Sequence, residues 1–183
     1  LSTIYMASKT PKGGSFDVES HHVLAARAAG EGMVLLKNNG ILPLKDHGKV
    51  AVIGLSSKHP YFQGGGASRV NPTKVTIPRD ELRRQAPGTR FTYADGYTND
   101  GDFRQDLIDE ATGIARSADT AILFIALPPL AESEGYDRMD IDLPRQQVAL
   151  IQSVTSVQPN TVVVLNNGAP VAMSEWIGGA AAV

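Results

Sequence analysis

The chain has 183 residues, no cysteine, and a formal net charge of −2 from 17 Lys plus Arg against 19 Asp plus Glu. That length fits one domain of about 100–200 residues with a sizeable core. The charge balance argues against a nucleic-acid or membrane partner, which requires concentrated basic surface, and the lack of cysteine excludes disulfide frameworks, thiolate metal sites and cysteine nucleophiles.

No apolar run approaches the roughly 20 residues of a bilayer span. The longest candidate, residues 118–131, is broken by Pro128 and Pro129. No basic-then-apolar leader opens the sequence, which starts at Leu1 and reads as a processed or excised piece.

Residues 1–16, with Thr10, Pro11, Gly13 and Gly14, read as an irregular linker. From Asp17 the pattern turns helical: Leu24, Ala28, Gly32 and Leu35 share one face, and Asn38-Asn39-Gly40 supplies a stop. His21 and His22 fall near the helix start. Adjacent helical residues point apart, so a capping or surface role fits the pair better than a metal clamp. Lys49-Val50-Ala51-Val52-Ile53-Gly54 is a short apolar run ending at glycine, the mark of a buried strand.

The alternation then repeats. Residues 78–85 read as a short helix with Pro78 at an early position, where its missing N–H is harmless. Residues 90–94 read as a strand. Phe103, Leu107, Ala111 and Ile114 mark an amphipathic helix, and residues 120–126 the most apolar strand. Leu150, Val154 and Val157 share a face of a helix that starts near Leu143 or Pro144. Residues 161–165 form a last buried strand before Asn166-Asn167-Gly168. Residues 173–183 resemble the opening of another helix-and-strand unit, with Trp176 as core, and the apolar end suggests a fold that continues.

This order predicts an α/β fold: a mostly parallel sheet covered by helices on both faces, with Rossmann-like or flavodoxin-like layering. The expected organisation is a linker over residues 1–16 and an α/β domain over 17–183.

Ligands of open α/β sheets bind outside the carboxyl ends of the strands. The loop after the 120–126 strand is the richest. It carries Glu132, Glu134, Asp137, Asp140 and Asp142, with Arg138 as the only cation among them. Crowded or partly buried carboxylates hold protons more tightly, as a general acid requires. Gly135 permits close backbone approach, and Tyr136 offers a surface for a ring. A solvated acidic loop that caps the next helix explains the same composition. Gln63 to Arg69 holds three consecutive glycines, too far from the first strand for a dinucleotide fingerprint. Those glycines serve either close approach to a ligand or a neighbouring domain, or a structural turn. No Gly-x-Ser-x-Gly elbow supports a serine triad.

Taken in order, these stretches resemble the C-terminal domain of family 3 glycoside hydrolases. The carriers are His21-His22-Val23-Leu24-Ala25-Ala26-Arg27 through Val34-Leu35-Leu36-Lys37-Asn38-Asn39-Gly40-Ile41-Leu42-Pro43-Leu44, then the residue 49–54 strand and Gln63-Gly64-Gly65-Gly66. Glu132-Ser133-Glu134-Gly135-Tyr136-Asp137-Arg138, Leu143-Pro144, Gln146 or Gln147, Leu150-Ile151, residues 160–165, Asn167-Gly168-Ala169-Pro170 and Trp176 follow. The resemblance implies part of a retaining, exo-acting β-glycosidase, first of all a β-glucosidase. An N-terminal (β/α)8-like barrel would be the domain's partner and hold the nucleophilic aspartate.

The resemblance further implies that Glu134 is the general acid/base, with Glu132 as fallback. Ser68 is the candidate to reach the sugar, although many family members carry an earlier serine where this chain has Ala67. Tyr136 would meet substrate, and Asp137 and Arg138 would shape the loop through a charge-assisted hydrogen bond. No cofactor or metal is implied, a β-glucoside is the expected substrate, and secretion or a periplasmic location is the family's usual setting. Residues 97–103 are where some relatives could insert a further sugar-binding domain. The chain alone, without a barrel, is expected to be inactive. Two alternatives stay open: a non-catalytic α/β binding or regulatory module, and a family member acting on xylosides, arabinosides, N-acetylglucosaminides or glycosylated natural products. Some N-acetylglucosaminidases of the family use a barrel histidine instead, and Glu134 argues for the glucosidase-like branch.

Overall fold

The computed structural model describes every residue of the chain apart from the side chain of Ser68. Two compact units divide it, Leu1–Val34 and Leu35–Val183.

The first unit holds two helices, α1 (Ser2–Lys9) and α2 (Val18–Gly32). Helix α1 stands where the sequence predicts an irregular linker. It buries no residue and has no side-chain cap, so no amphipathic pattern announces it. Helix α2 begins where expected. Asp17 accepts the Glu19 N–H at 3.0 Å and the Ser20 N–H at 3.2 Å, satisfying donors that a helix start leaves open. Phe16 stacks on His21 with centroids 5.4 Å apart, a staple across that cap. The helix ends at Gly32, earlier than the predicted stop. Met33 is already extended (φ −71, ψ 139), so Leu35 lies beyond the helix it was expected to join.

The second unit is built on four parallel strands: β1 (Gly48–Ile53), β2 (Thr89–Ala94), β3 (Thr120–Ala126) and β4 (Thr161–Asn166), in the order β2-β1-β3-β4. Ile53 pairs with Ala94 and Leu123, and Ala126 pairs with Asn166. Helices α3 (Pro78–Gln85), α4 (Gln105–Arg116) and α5 (Arg145–Val157) connect them.

Successive strand residues point to opposite faces, and both faces are filled. Ala51, Ile53, Leu123 and Ile125 pack with Ile108, Leu150, Ile151 and Val154 from α4 and α5. Val50, Val52 and Ile122 pack on the other side with Leu44, Leu82 and Phe91. The predicted α/β architecture with helices on both faces is therefore the observed one. Trp176 joins the first cluster at 3% exposure, as expected of a core residue. Among the described residues no helix is long and apolar enough to cross a membrane.

Residues 173–183 only half meet the expectation of a helix and a strand. Residues 174–179 make turns. Residues 181–183 then lie beside β4, with the Ala181 N–H on the Thr161 carbonyl at 2.8 Å and the Val163 N–H on Ala182 at 2.9 Å. On the far side Leu36 donates to the Val183 carbonyl at 2.8 Å and Asn39 to Ala181 at 2.8 Å. This outer segment runs antiparallel, whereas 181–183 is parallel to β4.

Gly54 closes β1 at φ +116, and a Cβ there would fall 2.1 Å from the Phe124 carbonyl oxygen. The same carbonyl lies 3.0 Å from the Tyr97 hydroxyl. Tyr97 also accepts the Ser56 N–H at 3.3 Å and lies 2.9 Å from Ser56 Oγ. Tyr97 is 2% exposed, so this buried knot ties the ends of β1, β2 and β3 together.

Two glycine replacements should therefore act in opposite directions. Gly54→Ala must strain the backbone and displace the Phe124 carbonyl, at about 2 kcal/mol or more. That corresponds to a Tm lower by about 4–8 °C. Gly113→Ala, in α4 with nothing within 4 Å of the new Cβ, should hold or raise Tm, because alanine is the better helix former by up to about 1 kcal/mol. Differential scanning calorimetry of both variants measures the contrast.

Candidate functional site

All four strands end on one edge of the sheet, and the loops after β1, β3 and β4 meet there. The meeting is made by backbone. The Gly65 N–H donates to the Glu132 carbonyl at 3.1 Å and the Glu134 N–H to the Gly65 carbonyl at 3.4 Å. Gly65 and Ser133 thereby form a short parallel bridge. A Cβ on Gly65 would lie 2.6 Å from Ser133 Oγ, and one on Gly66 would lie 2.8 Å from Glu134 Cβ. Gly65 and Gly66 therefore permit close approach of two loops within this unit, a role the sequence does not announce. Gln63 closes the same loop by pairing both ways with Val70, at 3.1 and 3.0 Å.

The two glutamates of the β3 loop differ in setting. Glu134 is exposed. Its Oε2 accepts the Ala67 N–H at 2.9 Å, and among the described residues Oε1 carries no hydrogen bond. Glu132 is half-buried. Its Oε1 accepts two backbone donors from the turn after β4, Gly168 at 2.5 Å and Ala169 at 3.0 Å. Tyr61 is nearby: burial pushes its hydroxyl above the usual tyrosine range, the Glu132 charge adds to this, and Arg69 opposes it. Asn166 Nδ2 donates to the Tyr61 carbonyl at 2.5 Å, fastening the β1 loop to the end of β4.

Tyr136 exposes its ring, at 66%. Asp137 is exposed and, among the described residues, forms no ion pair with Arg138. The expected charge-assisted bond between them is absent because the guanidinium turns away, donating from Nη1 to the Pro170 carbonyl at 3.2 Å. Asp140 accepts the Asp142 N–H at 3.0 Å. Three of the five loop carboxylates are thus each committed to separate backbone donors. The side chain of Ser68 lies outside the described residues. Gln146 and Gln147 are buried structural groups, bonding Gly96 at 2.9 Å and Ala126 at 2.7 Å.

A cavity of about 480 Å³ lies beside the β3 loop, with Leu127, Pro128, Ala131, Arg138, Met139 and Asp140 in its lining. Glu132 and Glu134 do not line it. Among the described residues no three His, Asp or Glu side chains are placed to hold a metal ion.

Sequence reasoning missed the Glu132 contact with Gly168 and Ala169, the Arg138 contact with Pro170, and the Ser56–Tyr97 pair. Asp95-Gly96-Tyr97 directly follows β2. Nothing local marks these partners, because each bond joins two different strand ends.

The pattern of the glycosyl hydrolase family 3 C-terminal domain matches residues 33–183. The chain is 44% identical to thermostable beta-glucosidase B of Acetivibrio thermocellus, over 97% of this chain and 24% of that protein. It is 38% identical to the exo-α-(1→6)-L-arabinopyranosidase of Bifidobacterium longum, over 88% of this chain and 22% of that protein. The crystal structure of a Bifidobacterium adolescentis GH3 beta-glucosidase superposes with a TM-score of 0.87 at 39% identity, over 97% of this chain and 26% of that one. The chain spans about a quarter of the length of the curated relatives it matches.

Burial around the strand ends has a measurable signature at high pH. Burial raises the Tyr97 hydroxyl, and burial followed by the Asp95 hydrogen bond raises Tyr93, as burial does for Tyr61. The folded chain then keeps protons that the unfolded chain releases near pH 10. Stability is full below that pH and falls as pH rises through it, by up to about 1.4 kcal/mol per pH unit for the buried Tyr97 and less for the more exposed Tyr93 and Tyr61. Tyr97→Phe should lower stability at pH 8 and make the alkaline decline shallower, as read from urea unfolding at pH 8 and pH 10.5.

Proposed function

The chain belongs to glycosyl hydrolase family 3, and we propose that it supplies the general acid/base of a retaining, exo-acting β-glycosidase that releases terminal β-D-glucosyl residues. Glu134 is that group. The observation that carries this reading is the contrast between the two glutamates. Glu134 is exposed at the carboxyl edge of the sheet, with Oε2 held by one backbone N–H and Oε1 open among the described residues. Glu132 is half-buried and its Oε1 is occupied by two N–H donors, so it is poorly placed to hand a proton to a substrate.

The chemistry then runs in two steps. A carboxylate from a barrel domain outside this chain attacks the anomeric carbon as Glu134 protonates the departing glycosidic oxygen, and the bond to the aglycone breaks. Glu134, now ionised, takes a proton from water while the water oxygen displaces the enzyme carboxylate and regenerates the sugar hydroxyl with net retention. Such a pair stands about 5–5.5 Å apart, so the loop must bring Glu134 to a fixed place. Tyr136, exposed two residues on, is available to cover a sugar ring. Ser68 remains a candidate for contact at the cleavage site. Membership of the family together with 44% identity to a relative named as a beta-glucosidase supports a glucoside as substrate. The relative named as an arabinopyranosidase supports a second reading, a pyranose pentoside in the same site.

Glu134→Gln in the full enzyme should cut kcat on an aryl β-glucoside with a poor leaving group by about 10²–10⁴. The loss should be far smaller with a good leaving group, and azide should restore turnover of the latter. Equal losses on both substrates would make Glu134 a structural residue. The purified 183-residue chain should show no turnover of either substrate, because it carries only one member of the pair; measurable hydrolysis by it would overturn the division of labour.

A further inference from the structure

The loop that carries Glu134 is gripped at both ends by one short turn. At its start, Glu132 Oε1 accepts the N–H groups of Gly168 and Ala169 at 2.5 and 3.0 Å. At its end, Arg138 Nη1 donates to the Pro170 carbonyl at 3.2 Å. Consecutive residues after β4 thus take both grips, and the two are matched in sign. An anionic acceptor meets backbone donors, and a cationic donor meets a backbone acceptor. Charge-assisted bonds of this kind are about twice as strong as neutral ones.

The turn is itself braced. Asn167 Nδ2 donates to the Ala169 carbonyl at 2.6 Å, and the Ala172 N–H to the Ile141 carbonyl at 2.8 Å. Between the grips, among the described residues, the loop hydrogen-bonds the glycine loop through Gly65 and the Ala67 N–H. Besides those bonds, the two side chains that flank Glu134 in sequence anchor its loop by reaching away from it in space.

Resting on the reading of Glu134 as acid/base, we propose that Glu132 and Arg138 are positioning residues, a two-point clamp on Gly168, Ala169 and Pro170 that fixes where the Glu134 carboxyl stands. Neither residue contacts substrate in this role. Displacement of a catalytic group by about 1 Å costs about 10²-fold in rate. Because the carboxyl matters most when the leaving group is poor, loss of the clamp must also be selective for poor leaving groups.

The test uses the full enzyme with Glu132→Ala, Glu132→Asp, Glu132→Gln and Arg138→Met, each assayed on two aryl β-glucosides of good and poor leaving group. Glutamine keeps an acceptor oxygen in place, so Glu132→Gln should stay within about tenfold of the parent. Glu132→Ala and Arg138→Met should lose about 10²-fold in kcat on the poor leaving group and much less on the good one, with KM little changed. Glu132→Asp keeps the charge but withdraws it by one methylene. It should show the same selectivity, and it serves if the alanine variant does not fold.

A merely structural role would lower both substrates by one common factor, the fraction of folded enzyme, and that result overturns the proposal. So does Glu132→Gln falling as far as Glu132→Ala with azide rescue, which would make Glu132 the proton donor. Glu134→Gln, run alongside, separates the two readings. Without leaving-group selectivity in that variant, the assignment of Glu134 fails. With it, and without selectivity in the Glu132 and Arg138 variants, the clamp alone fails.

Discussion

Parallel pairing is the constraint from which the site follows. Parallel strands in register must all end on the same edge, and the loops that leave β1, β3 and β4 are therefore delivered to one place. Those loops are far apart in sequence and owe their meeting to the sheet alone. The helices pay for the arrangement by covering both faces, because a parallel sheet with an uncovered face would leave Ile53, Leu123 or Val52 in water. Once the edge exists, glycine settles the spacing. Gly65 and Gly66 let one loop lie against another at a separation that a side chain would prevent.

Much of the framework was legible because its periodicities are clean. The strands at Gly48–Ile53 and Thr120–Ala126 are almost wholly apolar, and α4 and α5 carry their apolar residues at helical intervals. The misses have physical causes. Helix α1 buries nothing, so burial left no trace in its sequence. Leu35 and Leu36 continue the apolar spacing of α2, yet the helix has already ended at Gly32, and Leu36 bonds to Val183. A tertiary contact overrode a local pattern. The helix expected to open residues 173–183 is absent, and residues 174–179 form turns.

The site was legible as composition but not as wiring. Glutamates beside glycine marked the β3 loop, and the family pattern singled out Glu134. Nothing in the sequence distinguishes the surroundings of Glu132 from those of Glu134. The difference comes from Gly168 and Ala169, which only the sheet brings near. Asp137 and Arg138 illustrate the opposite error. Neighbours of opposite charge invite pairing, but here the Arg138 guanidinium donates to the backbone carbonyl of Pro170.

The hydrogen bond between Leu36 and Val183 also bears on how the chain is made. Residues 36–39 are synthesised well before the segment that pairs with them, which is complete 183 − 36 = 147 residues later. At about 5–20 residues per second that is roughly 7–30 s of waiting. During that time Leu35 and Leu36 belong to an unpaired edge, the kind of surface that recruits other nascent chains. Residues 181–183 thus close this rim, and a pause in translation just after β4 would leave a unit whose strands are complete but whose rim is still open.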